Sequence, residues 1–149
     1  EQVGVIVKQA RDLVIHVPLM GADGWDSPTL IELAGADALN NTYITNHYSS
    51  GDPDQVIQDF VAAFEAEYSG QPNAFHALGY DTVYFLKDAI ERAGDEVTGE
   101  TIQKALAETK DLSLITGTFT VDEQHNPVKS ATVLEYVDGS QEFKSKVNP

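Results

Sequence analysis

The 149-residue chain has no cysteine. That excludes disulfide bonds, thiolate nucleophiles and cysteine-ligated metals. Basic residues are scarce as well: nine Lys and Arg stand against 24 Asp and Glu, for a formal charge of −15. Such an acidic surface repels nucleic-acid phosphates and anionic lipid, so no nucleic-acid or membrane-surface role is expected. No apolar run approaches the ~20 residues of a membrane span. No secretory leader is visible, so an exported protein would carry its targeting segment outside this sequence. A GxGxxG turn, a P-loop and a GxSxG elbow are all missing. His16, His47, His76 and His125 are scattered without metal-ligand spacing and read as surface or local packing residues. Neither Asp52-Pro53-Asp54 nor the run Asp122 to Asn126 has the alternating oxygens and central glycine of a calcium loop. The expectation is a non-enzyme without cofactor or metal.

What is present is a globular composition, 42% hydrophobic, and one informative stretch, VPLMGADGWDSPTLIEL from Val17 to Leu33. It reads as a short apolar strand, a glycine-flanked turn and a capped helix, with Asp23 and Trp25 just past the strand's C-terminal end. In open α/β sheets ligands bind in the crevice outside the carboxyl ends of the strands. A carboxylate beside an indole there can pair with a cationic head and pack an apolar tail.

Apolar spacing predicts an amphipathic helix over 2–14 and a strand over 17–20. A helix follows, capped by Ser27 and Pro28 and closed by Gly35, and then a strand over 42–45. Asp52 and Gln55 resemble a capping box that opens a helix over about 53–69. The longest apolar stripe runs from Phe75 to Ala93, and a shorter helix follows Thr98. The period then changes to two, giving strands at 118–121, 131–137 and 141–147, the last two joined at Asp138-Gly139. An αβαβ start predicts a parallel sheet covered on both faces. Yet only two strands precede three helices whose stripes need a sheet. The expectation is therefore the C-terminal part of something larger, with a compact α+β domain as the alternative.

Four runs in order carry a resemblance: EQVGVIVKQARDLVIHVPLMGADGWDSPTLIELAG, YITNHYSS with a following DP, FVAAFEAEYSGQPNAFHALGYDTVYFLKDAIERAG, and GTFTVDEQHNPVKSATVLEY. Together the chain resembles the C-terminal portion of the leucine/isoleucine/valine-binding proteins, type I periplasmic binding proteins of amino-acid ABC importers. The resemblance implies an α/β fold of two Rossmann-like lobes, of which only the C-terminal part is here. Residues 1–43 would belong to the second lobe, 44–128 to the first, and 129–149 would form a hairpin returning to the second. It also implies that the groups gripping a ligand carboxylate come from an upstream part, so a missing lobe or another chain would complete the fold. Val14, His16 and Ala22 depart from the family, which more often has glycine or a polar residue near these places. Ala22 matters most, since glycine there would permit backbone angles that alanine resists.

The resemblance implies that Asp23 pairs with the ammonium of an amino acid; the plainer reading is a turn-capping aspartate. Trp25 either lines the wall for the ligand side chain or covers the core. The tyrosine matching Tyr80 reaches the pocket in relatives, while its spacing alone is that of an ordinary helix aromatic. Phe75 and Tyr84 read as packing residues, and Asp26 and Ser27 as caps. The function implied is extracytoplasmic capture, periplasmic or at the cell surface, of a branched-chain or other small amino acid for an ABC permease. A sensory domain or amide regulator of the same fold, or a fragment that binds nothing, remains the alternative.

Overall fold

The computed structural model describes residues 2–149. Helix α1 (Gln2–Asp12) leads to strand β1 (Leu19–Gly21) and a 3-10 turn (Asp23–Trp25), followed by α2 (Pro28–Ala34), α3 (Ala36–Leu39) and β2 (Thr42–Asn46). Helices α4 (Gln55–Glu67), α5 (Ala74–Ala93) and α6 (Gly99–Ala107) come next. The chain ends in strands β3 (Leu112–Leu114), β4 (Gly117–Val121), β5 (Pro127–Lys129), β6 (Ala131–Val137) and β7 (Ser140–Val147).

Two sheets form. The four-stranded one has the order β1-β2-β6-β7, and the three-stranded one has the order β3-β4-β5. Among the described residues only β1 and β2 pair in parallel, with Leu19 opposite Thr42 and Gly21 opposite Ile44. The antiparallel β6–β7 hairpin adds to the other edge of β2. Its turn, Asp138-Gly139, has both residues at positive φ, 49° and 82°. That backbone matches the twist of the strands it joins.

Buried apolar side chains gather in two clusters. Val7, Leu30, Ala34, Leu39, Ile44, Leu134 and Tyr136 fill the space between the four-stranded sheet and α1–α3. Tyr48, Ile57, Phe60, Val61, Ala74 and Ala77 form the second, between α4 and α5. The buried Asp52 carboxylate pairs with the Lys146 ammonium at 2.6 Å, joining the loop before α4 to strand β7.

Several expectations are corrected. Helix α1 stops at Asp12, because the Arg11 guanidinium gathers the carbonyls of Ile15, Val17, Ala38, Asn40 and Asn41 and pulls the chain out of helix. Strand β1 starts at Leu19, two residues late, since the Val17 carbonyl is engaged by Arg11 and pairing with β2 begins at Leu19. The cap of α4 is Asp54, whose carboxylate accepts from the Val56 N–H, whereas Asp52 accepts from the Asp54 N–H one turn earlier. The apolar stripe of α5, expected to want a sheet, leaves Phe75, Val83 and Leu86 exposed. Ala22 adopts φ −104° and ψ −179°, extended backbone that alanine takes without strain. Glycine there is not required.

Candidate functional site

Strands β1 and β2 are neighbouring parallel strands, so their C-terminal ends open on the same side. Asp23 follows β1 and His47 follows β2. The backbone brings them together: the His47 imidazole Nε2 stands 3.3 Å from the Asp23 carboxylate, both side chains about half exposed. The other carboxylate oxygen accepts from the Gly24 N–H at 2.9 Å. This pair borders a cleft of about 310 Å3 lined also by Asn46, Lys129 and Ser130. A second hollow of about 260 Å3 shares His47, Pro127 and Lys129 with it and is floored by Phe85, Phe119 and Leu114.

The turn that presents Asp23 is held from below by polar contacts. Tyr136, fully buried in the first cluster, donates its hydroxyl to the Trp25 carbonyl at 3.0 Å. Gln141 donates to the Tyr136 oxygen and to Asp26, and Asn46 donates to the other oxygen of Asp26. The Asn46 side-chain oxygen in turn accepts from the His47 N–H at 2.8 Å. One network therefore fixes both residues that face the cleft. Burial raises the Tyr136 phenol above its ordinary value, so it serves as a proton donor throughout.

The expected site residues are placed differently from one another. Asp23 faces the cleft. Trp25 is partly buried against the first cluster, and its ring lies over Gly21 so closely that a Cβ there would stand 2.1 Å from it. Tyr80 is exposed on α5 beside the second cluster, its ring centre 5.1 Å from that of Phe60 and 4.7 Å from that of Tyr84, and it does not line the cleft of Asp23. Ser27 caps α2 through the Thr29 N–H, as its position suggested. Asp26 anchors the network instead of capping.

Two residues escaped sequence reasoning. His47 was legible only once β1 and β2 are paired, because 24 positions separate it from Asp23. Asp81, in mid-helix, is buried, and its carboxylate accepts from the N–H groups of Ile115 and Thr116 at 2.9 and 2.8 Å. It thereby fastens the β3–β4 turn to α5. The Lys129 ammonium donates to the Thr116 hydroxyl at 2.6 Å and lies partly buried, which lowers its pKa from the usual lysine value. Among the described residues no three His, Asp or Glu side chains gather at metal-binding separation. No helix among them is long and apolar enough to cross a membrane.

Comparison with known proteins gives concordant matches. Residues 2–141 match the sequence model of a family described as periplasmic binding protein. The Leu/Ile/Val-binding protein BraC3 of Rhizobium johnstonii is 30% identical over 121 residues, 80% of this chain and 32% of that protein. A leucine-binding protein, LivK, of Thermotoga maritima is 34% identical, with a TM-score of 0.88 over 99% of this chain and 42% of its own. The substrate-binding protein LivJ of a Streptococcus pneumoniae branched-chain amino-acid transporter, solved with isoleucine, is 32% identical. Its TM-score is 0.84, with the same coverage. The chain thus spans less than half the length of these relatives, and its mixed α/β structure matches part of their type I fold.

Proposed function

This chain belongs to the periplasmic binding protein family, and from that premise we propose that it forms part of an extracytoplasmic substrate-binding protein that captures an aliphatic amino acid for an ABC importer. The observation that carries the reading is the Asp23 carboxylate, held at the C-terminal end of β1, half exposed and facing a cleft. A carboxylate so placed accepts an ammonium group with a charge-assisted hydrogen bond of roughly 1.5–3 kcal/mol. Trp25 and Tyr80 contribute apolar surface from the turn and from α5 when the lobes close.

The two clusters support a division into lobes. Residues up to Asn46, with the β6–β7 hairpin, form one lobe, and the chain crosses after β2 into the other. Strand β2 stays within the four-stranded sheet as far as Asn46, which supports a crossing at the end of that strand, close to the expected boundary at residue 43. Ligand held by one lobe gains contacts from the other on closure, and only its higher affinity for the closed form drives that motion. A permease then recognises the closed shape.

Asp23→Ala tests the reading. In a two-lobed protein carrying this sequence, calorimetry with leucine is expected to show binding weakened by about 2 kcal/mol, since an ammonium left unpaired in a desolvated pocket is costly. Unchanged affinity removes Asp23 from the site.

A further inference from the structure

We propose that His47 is the side chain a ligand's ammonium must displace from Asp23, so that ligand capture weakens in acid; this rests on the reading of Asp23 given above. Asp23 has two carboxylate oxygens. One is committed to the Gly24 N–H within its own turn, and the other faces the His47 imidazole at 3.3 Å. An incoming ammonium therefore meets a carboxylate whose free side already has a nitrogen partner.

The backbone that carries the imidazole is fixed beside Asp23. The His47 N–H is held by Asn46, and Asn46 is held by Asp26, next to the turn that carries Asp23. One set of hydrogen bonds thus ties the backbone of the competitor to the turn that carries the acceptor.

What the competitor opposes depends on its charge. A neutral imidazole offers Asp23 a hydrogen bond without an opposing charge and yields readily to a cation. A protonated one offers an ion pair of the same kind as the ammonium, and the two exclude each other. The charged groups that face His47 are Asp23 from the 3-10 turn, Lys129 from β5 and Asp81 from α5. Lys129 is tied to Thr116, and the Asp81 oxygens are tied to two backbone N–H groups. Of these side-chain types, imidazole is the one whose charge changes in the neutral range. Protonation on the empty protein opposes binding, so affinity is expected to fall as the solution is made more acidic.

The experiment is a calorimetric titration of a two-lobed protein carrying this sequence with leucine at about pH 7.5 and about pH 5.5, for the parent, His47→Gln and Lys129→Gln. The expected result is parent affinity several-fold weaker at about pH 5.5, a change of less than about twofold in His47→Gln, and the parent slope retained in Lys129→Gln. The proposal is overturned by equal parent affinity at the two pH values, by a slope that survives in His47→Gln, or by one that vanishes in Lys129→Gln. Absence of leucine binding at both pH values overturns the functional reading itself and this proposal with it. Binding that is merely flat with pH overturns this proposal alone.

Discussion

In the region built on β1, β2, β6 and β7 the large side chains point inward: Ile44, Leu134 and Tyr136 meet Leu30 and Leu39, each no more than 4% exposed. In the helical region α5 does the reverse. It buries Ala77 and Ala89 completely and leaves Phe75 and Val83 about two-thirds exposed, with Leu86 and Tyr84 at 43%. A fully buried Val, Leu or Phe is worth about 1.5–3 kcal/mol relative to an exposed one. A helix that hides alanines and shows these residues has its stronger face turned to something outside the described contacts. Contiguous apolar surface of this kind marks an interaction face. On the proposed reading, the rest of the first lobe covers it. Helix α1 shows a weaker form of the same pattern, with Val7 inside and Val5 and Ile6 outside.

The difference predicts that the helical region depends on a few polar ties where the sheet region depends on packing. Asp81→Ala is the sharpest cut. It removes a buried carboxylate that satisfies two backbone N–H groups, and each such bond to a charged acceptor is worth about 1.5–3 kcal/mol. The expected loss is about 3 kcal/mol by urea denaturation. Amide exchange should rise at Ile115 and Thr116 while β2 and β6 stay protected. Equal loss of protection in both regions would break the comparison, because it would mean that one cooperative core holds them together.

How much of this was legible follows the same line. The sequence shows helix stripes and the β6–β7 hairpin because those signals are local: periodicity, caps, and a turn that needs two positive φ angles. Strands β3 and β5, three residues each, carry no period to detect and exist through pairing with β4. Asp23 could be singled out because it lies in a recognisable strand–turn–helix. Asp26, Asp81 and His47 could not, since their partners are 20, 34 and 24 positions away. The outward apolar face of α5 was legible as a stripe in want of a sheet, but the stripe alone did not tell which of its residues the chain itself buries.

The two regions also end their leading helices differently. Helix α5 stops at Gly94 with φ 69°, the residue type that region of backbone favours. Helix α1, which ends at Asp12, is closed by Val14 with φ 62°. There the Val14 N–H reaches the Arg11 carbonyl and the Ile15 N–H reaches the Ala10 carbonyl, the pair of bonds of a Schellman cap. A β-branched residue at that angle costs roughly 1–2 kcal/mol, and Val14 is 71% exposed, so its side chain contributes little packing. Val14→Gly is expected to stabilise the sheet region by about 1 kcal/mol, after glycine's extra unfolded-state entropy is deducted. A thermal melt that shows a loss instead would mean that the valine side chain packs in a way its exposure conceals.

The smallest expected effect tests the inversion on α5 most directly. Val83→Lys places a charge on the outward face of that helix, where the valine is 66% exposed. Lysine is the better helix former of the two by a few tenths of a kcal/mol. Its charge remains in water, and little apolar burial is given up. In this 149-residue chain the change should therefore stay within about 0.5 kcal/mol of the parent in urea denaturation, as for other surface substitutions. The same substitution in a two-lobed protein should cost about 2 kcal/mol or more, because it would leave a cation against a packed apolar surface. If Val83→Lys destabilises the isolated chain by more than about 1 kcal/mol, the face is already packed within it. The contrast between a sheet region that closes on itself and a helical region that does not would then fail.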